Sequence, residues 1–393
     1  MSEAAAPATE EVLFEGGPPH KLQSLLGLIG QNRPRLLGAL MLVLIVWVPL
    51  AVLSLWHGDF FDRATGAGFA SDFAAHARFL LAAPLLVLAE AVCLPQLTAI
   101  AWQFMATGIV AEPQYPRFRE AVASTRRLMN STAAEIGVLL LAYALVGALL
   151  LKKPPGEFTP WHGALVDGHF LVAPAGWWLL LVSLPLLVVL MLGWAWRLLL
   201  WGRFLLLMNR LPLRLIPAHP DQAAGLKFVG YALRAFVPLG FITGILAVGP
   251  MLNDVVHRAA SPLHYKFTVA GVAVAVLVIF VLPLLAFSQR LIAERRRGIF
   301  LYGALASTMG REFEKRWFAS GRQLDEDALS AVDFSATTDL YAVAANAYAI
   351  RTVPLELRDL AVLVLATLLP FVPLLLLVAP LDVILDKLAG LLL

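Results

Sequence analysis

Hydrophobic positions in this chain fall in long unbroken blocks separated by short polar stretches, not in the narrow stripes of a soluble amphipathic helix. Seven blocks, at 36–56, 79–104, 134–151, 177–201, 235–252, 267–288 and 360–379, approach or exceed the length needed to cross a hydrocarbon core of about 30 Å at about 1.5 Å per residue. Such blocks must be helices, because lipid offers the backbone no other hydrogen-bond partner. The expected fold is all-α: a polytopic transmembrane helical bundle of about seven spans. Pro370 and Pro373 interrupt the seventh block, which is expected either to span or to turn back as a re-entrant hairpin.

The blocks continue into helix-compatible polar sequence at one end. The fourth runs on toward Arg210 and the sixth toward Ser320, which predicts elongated cytoplasmic helices forming a collar. The expected organisation is a cytoplasmic N-terminal segment with a short amphipathic helix (1–35), a six-span core (36–288), a cytoplasmic helical segment (289–359), and the seventh block with an amphipathic C-terminus (360–393). Within 289–359, a second helix is expected over 338–351, ended by Pro354. The segment should pack against the extensions of spans four and five, since about 70 residues make a marginal independent core. A Pro-Leu-Leu triplet recurs at Pro84, Pro185, Pro283 and Pro373, but at different depths, so it marks no internal repeat.

Composition excludes a chain dissolved in water: 60% of residues are hydrophobic, 15% are charged and the mean hydropathy is +0.79. Basic residues then give an orientation. The segments before the first block, between the second and third, across the end of the fourth to the fifth, and between the sixth and seventh carry 3, 4, 6 and 10 Lys+Arg. The alternate segments carry 2, 2, 2 and 1, which places the N-terminus in the cytoplasm. The balance of 23 Arg to 7 Lys is that of a GC-rich bacterial genome, so the expected location is the inner (plasma) membrane. The first 15 residues are Ala-rich and acidic, so the first span is expected to serve as an uncleaved anchor. "EVLFEGGP" (11–18) looks like a protease tag site, but Glu15 stands where glutamine is needed; the stretch is expected to be unstructured. The lone Cys93 excludes intrachain disulfides and thiolate metal clusters.

Glu90 is the sharpest candidate, since it lies near the middle of the second block with no charge within ten residues. A charge at that depth costs about 2.5–3.5 kcal/mol. It is expected to be carried protonated. One reading makes it the carboxyl of an ion or proton pathway, helped by the carbonyls that Pro84 and Pro95 free. The other makes it a structural acid hydrogen-bonded to a neighbouring span, with Tyr143 as partner by depth. Gln96 shares a helix face with Gln103, about 120° from Glu90, and is the remaining candidate for the pathway. Arg197 and Arg234, near span ends, are expected to snorkel to headgroups.

Six of eight histidines fall on the predicted outer face beside aspartates: His57, Asp59 and Asp62; Asp72 and His76; His162, Asp167 and His169; Asp254, His257 and His264. Imidazole with carboxylate is first-row metal chemistry. The candidate metal ligands are His57, Asp59, His162, Asp167, His169, Asp254 and His257, although no i, i+4 histidine pair occurs and distant loops would have to converge. Arg295, Arg296 and Arg297 after the sixth block would attract anionic lipid headgroups, at about 1 kcal/mol per basic residue. They are also what positive-inside topology produces. No phosphate loop, nucleophile elbow or zinc-protease motif occurs, and nothing points to nucleic acid or another cofactor.

His219-Pro220-Asp221 matches the J-domain tripeptide without its context. Pro212 and Pro217 end the fourth helix, Asp221 is suited to capping the next, and Gly225 permits close packing, so His219, Pro220, Asp221 and Gly225 are expected to form a hinge.

"RFLLAAPLLVLAE" (78–90), "AHPDQAAGL" (218–226), and "DFSATTDL" with "RTVPLELRDL" (333–360) together resemble a family of uncharacterised multi-pass bacterial inner-membrane proteins. The resemblance implies the same topology over most of the chain and brings no activity or site. The layout is also similar to insect-chemoreceptor-type channels, which implies a homo-oligomer at the level of fold alone. The functional expectations are a channel or transporter for an ion or small solute, a membrane scaffold or sensor acting through its cytoplasmic helices, or a metal-dependent enzyme on the outer face.

Overall fold

The structure, a computed structural model, describes residues 13–27, 34–61, 68–152, 159–166, 169–318 and 332–377. Its helices include seven that are long and apolar enough to cross a membrane: Arg35–His57, Phe73–Ala106, Thr132–Lys152, Pro174–Arg210, Lys227–Arg258, Pro262–Lys315 and Leu357–Leu376. The protein is therefore a multi-pass integral membrane protein built as an all-α bundle. The second and fifth spans, each with 56% of its most apolar 18-residue stretch buried, form its centre. In the third and sixth only 17% and 22% of the most apolar 18-residue stretch is buried, so most of their apolar side chains face outward from the bundle.

Prolines shape the spans and set the contacts between them. Pro49 has no N–H, so the carbonyl of Ile45 loses its helical donor, and the first span breaks at Trp47. Two side chains of the fourth span take over: Trp178 Nε1 donates to Ile45 O (3.0 Å) and Ser183 Oγ to Val46 O (2.7 Å). Wide π-helical turns, His76–Ala82 and Leu179–Ser183, lie just ahead of Pro84 and Pro185. Pro185 similarly frees the carbonyl of Leu181, which accepts from Tyr143 Oη at 2.9 Å.

The seventh span runs as helix from Leu357 through a tight turn at Leu369–Phe371 to Leu376, with no reversal in the described part. It lies on a glycine stripe of the fifth. A β-carbon at Gly240 would come within 2.7 Å of Thr367 Oγ1, and one at Gly244 within 2.2 Å of Thr367 O.

At the end carrying the basic loops, the fourth helix stops at Arg210 as expected, and the sixth continues to Trp317. The helix expected over 338–351 occupies Val332–Tyr348, because the Ser/Thr-rich "DFSATT" enters the helix instead of forming a turn. It returns antiparallel along the sixth helix: Gly298 abuts Ala347, and Gly310 abuts the Tyr341 hydroxyl. The base of this hairpin rests on the 211–227 loop through Arg290 Nη1 to Leu211 O (2.7 Å) and Pro217 against Gly298.

The largest departure from the sequence reading is the N-terminal segment. Residues 13–18 of the stretch expected to be unstructured are packed into the bundle, with Leu13 and Phe14 fully buried. Phe14 stands edge-on to Trp201 (5.7 Å) and Phe204 (6.4 Å), and Leu13 N donates to Thr98 Oγ1 at 3.0 Å. Gly16 and Gly17 adopt φ of +90° and +80° against Asn130 and Met129, a turn that a side chain would block. Pro18 O lies on the fourth span where Gly193 has no side chain, 2.3 Å from where a β-carbon would sit. The helix His20–Leu25 follows, held by Leu22 N to Glu135 Oε1 at 3.1 Å.

Candidate functional site

Glu90 sits seventeen residues, about 25 Å, from the start of the second span, because that helix begins at Phe73 and not at Phe79. Sixteen residues separate it from the other end of the span at Ala106, so it lies at the middle of the helix. The first residue of the first span, Arg35, reaches it: Nη1 is 2.9 Å from Oε2. From the fourth span, Arg197 Nη2 is 3.0 Å from Oε1. Gln23 Nε2 of the N-terminal segment also donates to Oε1, at 3.3 Å. The partner expected for Glu90, Tyr143, is replaced by two guanidiniums, which donate and cannot accept.

Arg197 corrects a second expectation. It does not snorkel: it is 1% exposed, packed over the Trp194 ring at 5.2 Å, and also donates through Nη2 to Gly16 O at 3.1 Å. Its Nε and Nη1 have no acceptor among the described residues, and neither has the Gln23 Oε1 a donor. Arg35, 26% exposed, places its Nη2 3.2 Å from Glu15 Oε1. The cluster thus combines three spans with a segment that lies outside all of them. Tyr143 and Gln96 do not join it; Tyr143 is committed to the Leu181 carbonyl and Gln96 is exposed. The sequence reading missed Arg35 and Gln23. Nothing in a linear pattern brings the start of the first span to the level of residue 90.

Arg234 is half-exposed and pairs with Asp359 at the base of the seventh span (Nε to Oδ1, 2.6 Å), while Lys227 pairs with Glu356. The Lys227 ammonium beside Glu356 holds that carboxyl below the usual carboxylate range.

The loop 219–227 is closed by one carboxylate. Asp221 accepts from the backbone N–H of Ala223 (2.9 Å), Gly225 (3.1 Å) and Lys227 (3.1 Å), and its Oδ1 is 2.8 Å from His219 Nδ1. Gln222, Ala224 and Gly225 all take positive φ inside this ring. The helix begins only at Lys227 with Leu226 at its N-cap position, so Asp221 is not the cap expected of it: it organises the loop before the helix and reaches only the first helical N–H. Gln222 O accepts from Arg351 N at 2.8 Å, which ties the loop to the approach of the seventh span.

At the opposite end the loops do converge, on Asp72. Its carboxylate accepts from Trp161 Nε1 (3.0 Å), Asn253 Nδ2 (2.8 Å) and Ala75 N (2.9 Å). Burial pushes this carboxyl up, but the Asn253 and Ala75 hydrogen bonds, the nearby His162 and the Trp161 bond outweigh it and hold the group below its ordinary value. The candidate metal ligands have other partners: His57 with Asp59 (2.7 Å), His162 with Thr159 Oγ1 (2.6 Å), Asp254 with Tyr265 and Arg258, and His257 with Ser71 O (2.8 Å). Asp62, Asp167 and the His169 side chain lie outside the described residues. Among the described residues no three His, Cys, Asp or Glu side chains come together as a metal site.

Compared with protein families, with characterised proteins and with solved structures, the chain matches none.

Proposed function

We propose that this membrane protein is a channel or transporter for an ion or small solute, and that its pathway passes the Glu90–Arg197–Arg35 cluster. One observation carries the reading. A purely structural ion pair would be satisfied by the spans that hold it, whereas here Arg197 keeps two nitrogens without acceptors while buried in the bundle. Buried charge of this kind stabilises a fold poorly compared with apolar packing, and an ionisable group inside a membrane bundle points first to function. The remaining contacts of the cluster come from Glu15, Gly16 and Gln23, on a segment that can leave without dismantling a span.

The test is flux through liposomes holding the purified chain, with Glu90→Gln and Arg197→Gln compared with the native sequence. Flux that changes in rate or selectivity supports the reading; flux indifferent to both substitutions removes the cluster from the pathway.

A scaffold reading is favoured by a different observation: Phe300, Leu301 and Leu305 are exposed on the part of the sixth helix that projects beyond the predicted bilayer segment. Under that reading the hairpin binds a partner or a second copy. Substituting all three by serine would abolish cross-linking and leave flux intact.

A further inference from the structure

We propose that Arg197 and Arg35 form a binding site for a small oxyanion, a carboxylate or phosphate group, and that residues 13–23 occupy this site as a built-in substitute ligand. The proposal rests on the conduit reading for its role in transport, but not for the binding itself.

Consider what the segment gives each arginine. Arg197 receives the carbonyl oxygen of Gly16 on Nη2. Arg35 receives a carboxylate, that of Glu15, on Nη2. Both are acceptor oxygens, and a guanidinium takes nothing else. Arg197 still has Nε and Nη1 unmatched, so the substitute is incomplete: a buried donor is left without the acceptor that an oxyanion would provide. The Gly16 carbonyl, which carries only a partial charge, stands where an anion would be held by full charge.

The charge balance points the same way. With the segment in place, two guanidiniums face two carboxylates, Glu90 and Glu15. With it withdrawn, two guanidiniums face Glu90 alone. Glu135 does not compensate, because it binds the backbone of the segment at Leu22 and neither arginine.

The segment is also seated in a way that can be undone. Its buried anchors are Leu13 and Phe14, and its close approach to the fourth span depends on the missing side chain of Gly193. Gly193→Ala places a β-carbon 2.3 Å from Pro18 O, so the segment must lift. Phe14→Ser achieves the same end without touching a span, by removing the ring from Trp201 and Phe204.

The experiment reads binding and not transport. The purified full chain carries Met129→Cys with Cys93→Ser; Met129 is fully buried beneath Gly17, so maleimide labelling at position 129 reports lifting of the segment. Sodium phosphate and sodium acetate are compared with chloride at matched ionic strength. At a free oxyanion concentration about ten times its Kd, labelling should accelerate by about tenfold. Arg197→Gln should abolish that response, and Gly193→Ala should raise labelling without any anion. In the Phe14→Ser protein, phosphate should raise the melting temperature where chloride does not. Nanodiscs with phosphatidylglycerol, compared with phosphatidylcholine, distinguish a lipid phosphate from a free ion as the source. Labelling that ignores every oxyanion, or responds equally in Arg197→Gln, overturns the proposal. Oxyanion-dependent lifting in a protein that shows no flux would leave the site standing and remove the conduit; flux without oxyanion-dependent lifting would do the reverse.

Discussion

Arg197 Nη2 stands 3.0 Å from Glu90 Oε1, and the two side chains are only 1% and 3% exposed. At that burial neither charge can recover hydration if the other is removed, so the pair is costly to break and inexpensive to replace as a whole. Glu90→Leu should cost about 3–5 kcal/mol by stranding Arg197. Glu90→Leu with Arg197→Leu should regain much of the loss, since Arg35 is exposed enough to turn to water. Denaturation in detergent across this double-mutant cycle checks it; additive losses would show that the two residues do not act as a pair.

The glycine stripe under the seventh span makes a sharper prediction about packing. Gly244→Ala must push Thr367 away, and overpacking of this kind costs about 1–3 kcal/mol. Gly271→Ala, on the outward-facing sixth span with nothing near the new β-carbon, should be neutral or stabilising. Melting temperatures of the two variants, measured side by side, should separate; equal values would mean the seventh span does not rest on the fifth.

Acid should loosen the end of the bundle tied by Asp72. Its carboxyl is held below the ordinary value in the folded state, so its stabilisation is present in full above the unfolded pKa of about 3.9 and is lost as pH falls through the lower folded value. The stability gap between the native chain and Asp72→Asn should therefore be constant near neutrality and close below about pH 4. A gap independent of pH would show that the charge of Asp72 plays no part.

Asp221→Ala removes the acceptor of three backbone N–H groups. The expected loss is about 2 kcal/mol, above the roughly 1 kcal/mol of a simple helix cap. Two non-glycine residues at positive φ, Gln222 and Ala224, also lose their restraint, so limited proteolysis should cut first at 222–225. Cleavage elsewhere with unchanged stability would contradict this role.

Glu90 was identifiable in the chain because a lone carboxylate in an apolar block is conspicuous whatever surrounds it. Its partners were not. Arg35 reads as an ordinary flanking arginine of the first span, and Arg197 as a snorkelling one, because a linear pattern gives depth only through helix lengths. Glu90 lies mid-helix much as its apolar block implies, and its neighbours are set by how the first and fourth spans and the N-terminal segment pack against that level. Tyr143 had the right depth by count, but the carbonyl freed by Pro185 claimed its hydroxyl. "EVLFEGGPP" offered a signal, an apolar triplet ahead of two glycines and two prolines, but the glutamates on either side of the triplet make it resemble a tail.

The sequence by itself determined the class of the protein, the number of apolar helices and the point where the fourth stops. Those follow from local causes: hydrocarbon thickness, backbone hydrogen bonding and proline. Only the tertiary structure decided which charges meet, that the loops at the end away from the basic ones converge on Asp72, and that the N-terminal segment is part of the core. Each of these depends on residues from distant parts of the chain arriving at the same depth and facing inward, and that is set by how the helices pack against one another.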